Sequence, residues 1–263
     1  MDSPIRMMTV EGLKVEVYRN RAEVGRAVAN AVATKMRELL SQKKRVSMVF
    51  AAAASQVEFL EELVRQPGLD WSRVTAFHMD EYLGVAGTAK QSFGRWLRDR
   101  LFDRVKTGTV HYMDGMAKDP ERECRRYSDL LREEPLDIDC LGIGENGHLA
   151  FNDPPVADFK DAKAVKVVEI DEQSRIQQSA EGNFPTPNDV PRVALTMTIP
   201  ALLAAPQVYC TVPGSRKAKA VRETLNDPIG TACPATILRK HGAATLYLDQ
   251  DSAALIDTAI AGR

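Results

Sequence analysis

The chain has 263 residues, 44% of them hydrophobic and 27% charged, which is ordinary globular composition and enough to bury a core in one large α/β domain. Its 35 basic and 36 acidic side chains leave a formal net charge of -1, without the basic excess or stripe of a nucleic-acid binder. No apolar run approaches the roughly 20 residues of a membrane span. The four cysteines (Cys124, Cys140, Cys210, Cys233) form no C-x-x-C pair, so a zinc site or disulfide framework is not expected.

The start, Met1-Asp2-Ser3-Pro4-Ile5-Arg6, lacks the apolar core of a secretory signal. With its scattered thiols, the chain is expected to be cytoplasmic. Val15 to Tyr18 reads as a first strand, and Asn20 stands three residues before Glu23, a capping-box-like start. Val24, Val28, Ala31, Val32, Met36 and Leu39 recur at helical spacing, so residues 21–41 read as one amphipathic helix. Val46 to Ala51 is a nearly continuous apolar run, as in a strand buried on both faces. Ser55 is placed to cap a helix through Val64, and Val74 to Met79 reads as a further strand.

The alternation continues with helices over 91–102 and 120–132 and a strand over 136–143. Strands over 164–170, 208–212 and 244–248 follow, with helices over 215–225 and 252–260. Strands and helices alternating at these lengths imply a mostly parallel sheet with helices on both faces, read as a single domain over 1–263. Ligands of such sheets bind beyond the carboxyl ends of the strands, so chemistry is sought just after Ala51, Met79, Ile143 and Val212.

Gly142-Ile143-Gly144-Glu145-Asn146-Gly147 spells G-x-G-x-x-G after a strand. The dinucleotide fingerprint also needs a helix starting in the turn, and Pro154 and Pro155 would break one. No nicotinamide or flavin is therefore expected. His148 and Asp153, five residues apart on an irregular segment after a strand, can converge on one ligand. The histidine can titrate near neutral pH while a carboxylate fixes its tautomer. Asp80 and Glu81 end another apolar strand and should point to opposite faces, one to a pocket and one to a helix cap or a base. A metal bound by His78 and Asp80 lacks an evident third ligand.

Met79-Asp80-Glu81-Tyr82 and the run from Gly142 through Pro154 together resemble the glucosamine-6-phosphate deaminase (isomerase) family, over about residues 14–258. The resemblance implies a doubly wound, mostly parallel Rossmann-like sheet with helices on both faces, and that the histidine at His148 helps open a sugar ring, supported by Asn146 and Asp153. It implies that the aspartate at Asp80 moves a proton between C2 and C1, with release of ammonia and without a cofactor. Gly214-Ser215-Arg216-Lys217 resembles the family's G-S-x-K segment, whose lysine contacts the sugar phosphate. The substrate- and phosphate-binding candidates are Ser55, Gly144, Lys217 and Arg175. The expected partner is a small sugar phosphate, with no nucleic acid and no membrane, and a homo-oligomer is left open.

Three departures set this chain apart. Ala52-Ala53-Ala54-Ser55 stands where the family has a glycine-rich phosphate loop, and alanines resist the positive φ such loops often use. Asn146 and Asp153 replace an aspartate and a glutamate around the histidine. An arginine expected on the helix after Asp171 falls on Gln178, with Arg175 one turn earlier as the substitute. These changes keep the proton-transfer groups but allow a different sugar or another anion. The alternatives are a 6-phosphogluconolactonase-like hydrolase, which usually lacks the F-N-E/D-P run, and a non-catalytic sugar-phosphate sensor. A DNA-binding sensor would need more than the dozen residues that precede the first expected strand.

Overall fold

The computed structural model describes residues 2–256. The chain enters on an antiparallel hairpin, β1 (Arg6–Val10) and β2 (Leu13–Tyr18), where the sequence reading placed one strand. In α1 (Arg21–Gln42), Asn20 Oδ1 accepts the Glu23 N–H at 3.0 Å and the Glu23 carboxylate accepts the Arg19 N–H at 3.1 Å. Asn20 thereby satisfies a backbone donor that the first helical turn leaves free, and Glu23 ties down the residue just before the cap. β3 (Val46–Phe50) is buried throughout and leads through a 3₁₀ turn, Ala54–Gln56, into α2 (Val57–Val64). Ser55 therefore sits inside that turn and caps nothing, because the cap position falls on Ala53, which has no acceptor.

β4 (Val74–His78) is followed by β5 (Asp80–Tyr82), α3 (Phe93–Leu97), α4 (Asp103–Val105), β6 (Thr109–His111) and α5 (Pro120–Glu133). The helix expected from residue 91 begins at Phe93, where Ser92 Oγ accepts the Arg95 N–H, and its second half winds as a π-helical turn, Arg98–Phe102. Next come β7 (Ile138–Leu141), β8 (Val165–Glu169), α6 (Glu172–Ala180), β9 (Val193–Met197) and α7 (Ile199–Leu202). The chain continues through β10 (Gln207–Val212), α8 (Ala218–Asn226) and β11 (Ala244–Asp249). A 3₁₀ turn, Ser215–Lys217, replaces the start of the helix expected over 215–225. Of the helix expected over 252–260, residues 252–255 form turns and 257–260 lie outside the described residues.

Eight strands form the main sheet in the order β1-β2-β11-β10-β7-β3-β4-β6, parallel except for the β1–β2 hairpin. α1 and α2 cover one face, burying Val24, Val28, Val32, Phe59 and Leu63 against Val46, Met48 and Phe50. α5 and α8 cover the other, burying Tyr127, Val221 and Leu225 against the face carrying Val49, Leu141 and Val212. This is the mostly parallel sheet with helices on both faces expected from the alternation of elements, and the doubly wound α/β fold that the resemblance implies.

A second sheet, β5-β9-β8, is antiparallel and small. It encloses a separate apolar cluster that includes Tyr82, Phe93, Phe151 and Phe184. From β3 the chain builds outward through β4 to β6, then returns to the other side of β3 with β7 and continues through β10 and β11. The order reverses between β3 and β7. A parallel sheet leaves a crevice at such a switch point, beyond the strands' carboxyl ends.

Candidate active site

The crevice holds a cavity of about 50 Å³ whose walls come from all four strand tips singled out in the sequence. Ala51 to Ala53 and Ser55 follow β3, Asp80 follows β4, Gly142, Gly144 and His148 follow β7, and Lys217 follows β10. Two neighbouring hollows of about 160 and 200 Å³ share walls with it, one at Ala52, Ala53 and Phe93 and the other at Ser55 and Lys217. Small-molecule sites occupy roughly 300–1,000 Å³, a size the three reach together.

Asp80 is brought there by a change of sheet. The chain leaves the main sheet at His78, and Asp80 opens β5, paired with Thr196 of β9. Glu81, on the opposite face, accepts hydrogen bonds from Ser92 Oγ (2.7 Å) and from the N–H groups of Phe93 (3.2 Å) and Gly94 (3.1 Å). It caps α3 while Asp80 faces the cavity, so the two neighbouring acids divide their roles as strand geometry requires. Burial, with the nearby charges of Glu81 and Asp153, raises the Asp80 carboxyl well above the usual carboxylate range. His78 is fully enclosed, its Nε2 accepting the Met113 N–H at 2.8 Å, and burial pushes it down to about 4. That nitrogen is occupied by the backbone, and among the described residues no cluster of three or more His, Cys, Asp or Glu is set to hold a metal.

No helix starts in the glycine turn. A Cβ on Gly144 would come within 2.1 Å of the His148 ring, and one on Gly147, at φ +82°, within 2.6 Å of Cys233 Sγ. The glycines thus let the imidazole lie against the backbone, and they hold no pyrophosphate turn. Asn152 fastens the loop that follows, donating from Nδ2 to the carbonyls of Leu149 and Met197, both at 2.8 Å. Thr196 Oγ1 accepts the Phe151 N–H at 3.1 Å. Between these anchors Ala150 takes a positive φ of 47° on the cavity wall.

Behind His148 lies a buried polar knot. Asp153 Oδ1 is 3.0 Å from His148 Nδ1 and accepts hydrogen bonds from Asn146 Nδ2 (2.9 Å) and Ser174 Oγ (2.5 Å). Asn146 Oδ1 in turn accepts the His148 N–H at 3.1 Å, and Asp171 N–H donates to Asp153 Oδ2 at 3.1 Å. Burial by itself would raise the Asp153 carboxyl. The His148 charge and the hydrogen bonds from His148, Asn146 and Ser174 outweigh it and leave the group at about 2. Asp153 is therefore a fixed anion, and Asn146 orients without adding charge.

At the opposite wall Lys217 is buried, and burial pulls its ammonium below the usual lysine range against the raising influence of Glu181 and Glu145. Arg216 turns aside to pair with Glu145 at 2.6 Å. On α6 the cavity is lined by Gln177 and Gln178, while Arg175 is absent from the wall. Ser174, Gln177 and Gln178 share the inward face at three- and four-residue spacing, and Arg175 is turned about 100° away from Ser174. The structure thus gathers Ser55, Asp80, Gly144, His148 and Lys217 around one space, with Asn146 and Asp153 behind the imidazole. It leaves Arg175 outside.

Ser174 and Gln177 went unassigned in the sequence. Helical spacing from Gln178 was the signal that could have found them. A larger hollow of about 720 Å³ lies against α5 and β8. Four of its five rim charges pair with one another, Lys163 with Glu121 (3.2 Å) and Arg132 with Asp129 (2.8 Å). Burial pushes its thiol, Cys124, up to about 11. It lacks a group poised for chemistry, and the smaller crevice is the candidate.

A family profile described as glucosamine-6-phosphate isomerases/6-phosphogluconolactonase matches residues 19–247. A glucosamine-6-phosphate deaminase of Bacillus thuringiensis (strain Al Hakam) is 35% identical over 224 residues, covering 85% of this chain and 83% of that protein. The solved structure of a monomeric glucosamine-6-phosphate deaminase superposes with a TM-score of 0.84 at 30% identity, covering 92% of this chain and 99% of the other. A 6-phosphogluconolactonase from Thermotoga maritima shares the fold at a TM-score of 0.74 and 24% identity, covering 90% of this chain and 99% of its own.

Proposed function

This chain belongs to the family of glucosamine-6-phosphate isomerases and 6-phosphogluconolactonases, and on that premise we propose that it is an amino-sugar phosphate deaminase/isomerase. Its substrate is of the glucosamine 6-phosphate type, and its products are a ketose phosphate and ammonia. The observation that carries the reading is that Asp80 and His148, delivered by two different strand tips, line one cavity with Lys217.

The chemistry asks for these groups. Opening the ring moves the proton of the C1 hydroxyl to the ring oxygen, a task for an imidazole that can take and return a proton near neutral pH. Asp80 then removes the proton on C2 and returns it to C1, leaving a C2 imine. Water adds to that imine, ammonia leaves, and the ketone remains. Hydrogen travels as a proton throughout, so the balance calls for no oxidant or reductant. A buried carboxylate raised towards neutrality is a stronger base than a solvated one.

Lys217 is the cation for the phosphate, and Ser55 offers a hydroxyl on the wall the two share. Gln178 presents an amide where the resemblance leads one to expect a guanidinium, so less positive charge faces the ligand. The reading takes the chain as one α/β unit. It places the protein in the cytoplasm, which its four free, buried thiols support. The test is to incubate the purified protein with glucosamine 6-phosphate, other amino-sugar phosphates and 6-phosphogluconolactone, following ammonia, ketose phosphate and lactone opening. Ammonia and ketose formed in equal amounts from an amino-sugar phosphate are expected. Lactone opening alone would overturn the assignment.

A further inference from the structure

We infer that Ser174 is a positioning residue whose hydroxyl, bonded to both Asp153 and His148, holds the proton on Nδ1 of the imidazole and leaves Nε2 as the base. The inference rests on the proposed role of His148 in ring opening. Ser174 is 1% exposed, is absent from the cavity wall, and so acts through other groups.

A serine hydroxyl carries one proton to give and lone pairs to receive. Ser174 Oγ lies 2.5 Å from Asp153 Oδ1 and 2.9 Å from His148 Nδ1. An ionised Asp153 can only accept, so the serine proton points to it. The serine lone pair then faces Nδ1, which must be the protonated ring nitrogen. The direct approach of Nδ1 to Asp153 Oδ1, at 3.0 Å, demands the same tautomer.

Both partners thus select one ring form, and neither alone has the oxygen to itself. Asp153 Oδ1 also serves Asn146 Nδ2, so three groups crowd one carboxylate oxygen. The serine gives the imidazole a second acceptor. Asn146, being uncharged, supplies no further anion to hold the ring. The device depends on α6, because Ser174 is on its first turn, where Asp171 Oδ2 accepts the Gln173 N–H at 3.0 Å.

The experiment compares wild type with Ser174→Ala by steady-state kinetics on the amino-sugar phosphate that releases ammonia, and by ¹⁵N NMR of the histidine ring nitrogens. Losing one bond to the ring is expected to lower kcat about tenfold and leave KM within about twofold. In the same variant the His148 Nδ1–H signal should weaken as the other tautomer gains population. Both changes are required. An unchanged kcat, or an unchanged ring-nitrogen spectrum, overturns the inference. If wild type releases no ammonia from any amino-sugar phosphate, the proposed function fails, and the NMR comparison alone decides whether Ser174 sets the tautomer.

Discussion

His148 owes its position to what Gly144 lacks. The Gly144 N–H donates to the His148 carbonyl at 3.0 Å, and the imidazole fills the space that a side chain on residue 144 would claim. Gly144→Ala would force the ring aside, since no flexible end is available to yield at 2.1 Å. A displacement of about 1 Å at a reacting group costs on the order of a hundredfold in rate. We expect that loss in kcat with the melting temperature little changed. A fully active alanine variant would show that His148 need not lie where it does. The acid and the imidazole could be picked out as residue types beside glycines at strand ends. The serine between His148 and Asp153 was marked only by its helical spacing from Gln178, because a run of polar helix residues does not by itself say which face turns inward.

At the scale of elements, the parallel core was legible. β3, β4 and β7 are short, mostly apolar stretches buried along their whole length, and α1 carries its apolar stripe and its cap in plain view. The second sheet was not. Asp80 and Glu81 mark the end of the apolar run, but nothing in them says that the chain goes on as a buried strand of another sheet. The transfer is set by partners far away in sequence, with Met197 N–H donating to the Met79 carbonyl at 2.8 Å. β9 carries no alternation to betray it, and the edge strand β6 is only three residues long. The 3₁₀ turn after β3 starts behind Ala53, whose methyl side chain offers no cap to start an α-helix there. Arg175 lies one helical step from the inward face of α6, and periodicity finds that face only when one of its residues is already known.

Across the whole molecule, the switch point between β3 and β7 places loops from four strands around one crevice. The sheet beneath it includes an uncompensated acid. Asp139, in the middle of β7, is 0% exposed, and neither carboxylate oxygen has a hydrogen-bond partner among the described residues. Burial raises its pKa well above the usual carboxylate range. The folded state therefore keeps this proton at pH values where the unfolded chain, titrating near 4, has lost it. Its contribution is fully present below about pH 4 and declines as pH rises towards the folded pKa, by up to ~1.4 kcal/mol per pH unit. Asp139→Asn should thus be more stable than wild type in denaturant melts at pH 8, with the difference shrinking near pH 4.5. A difference that stays constant with pH would exclude a buried, neutral acid.

The central claim is that Asp80 and His148 serve one sugar from two strands. It is tested most directly by measuring ammonia release and substrate binding for wild type, Asp80→Asn and His148→Gln side by side. Each variant should stay folded, bind the amino-sugar phosphate with near-wild-type affinity and lose at least about a hundredfold in kcat, in line with general acid–base catalysis. Near-normal turnover in either variant would contradict the claim.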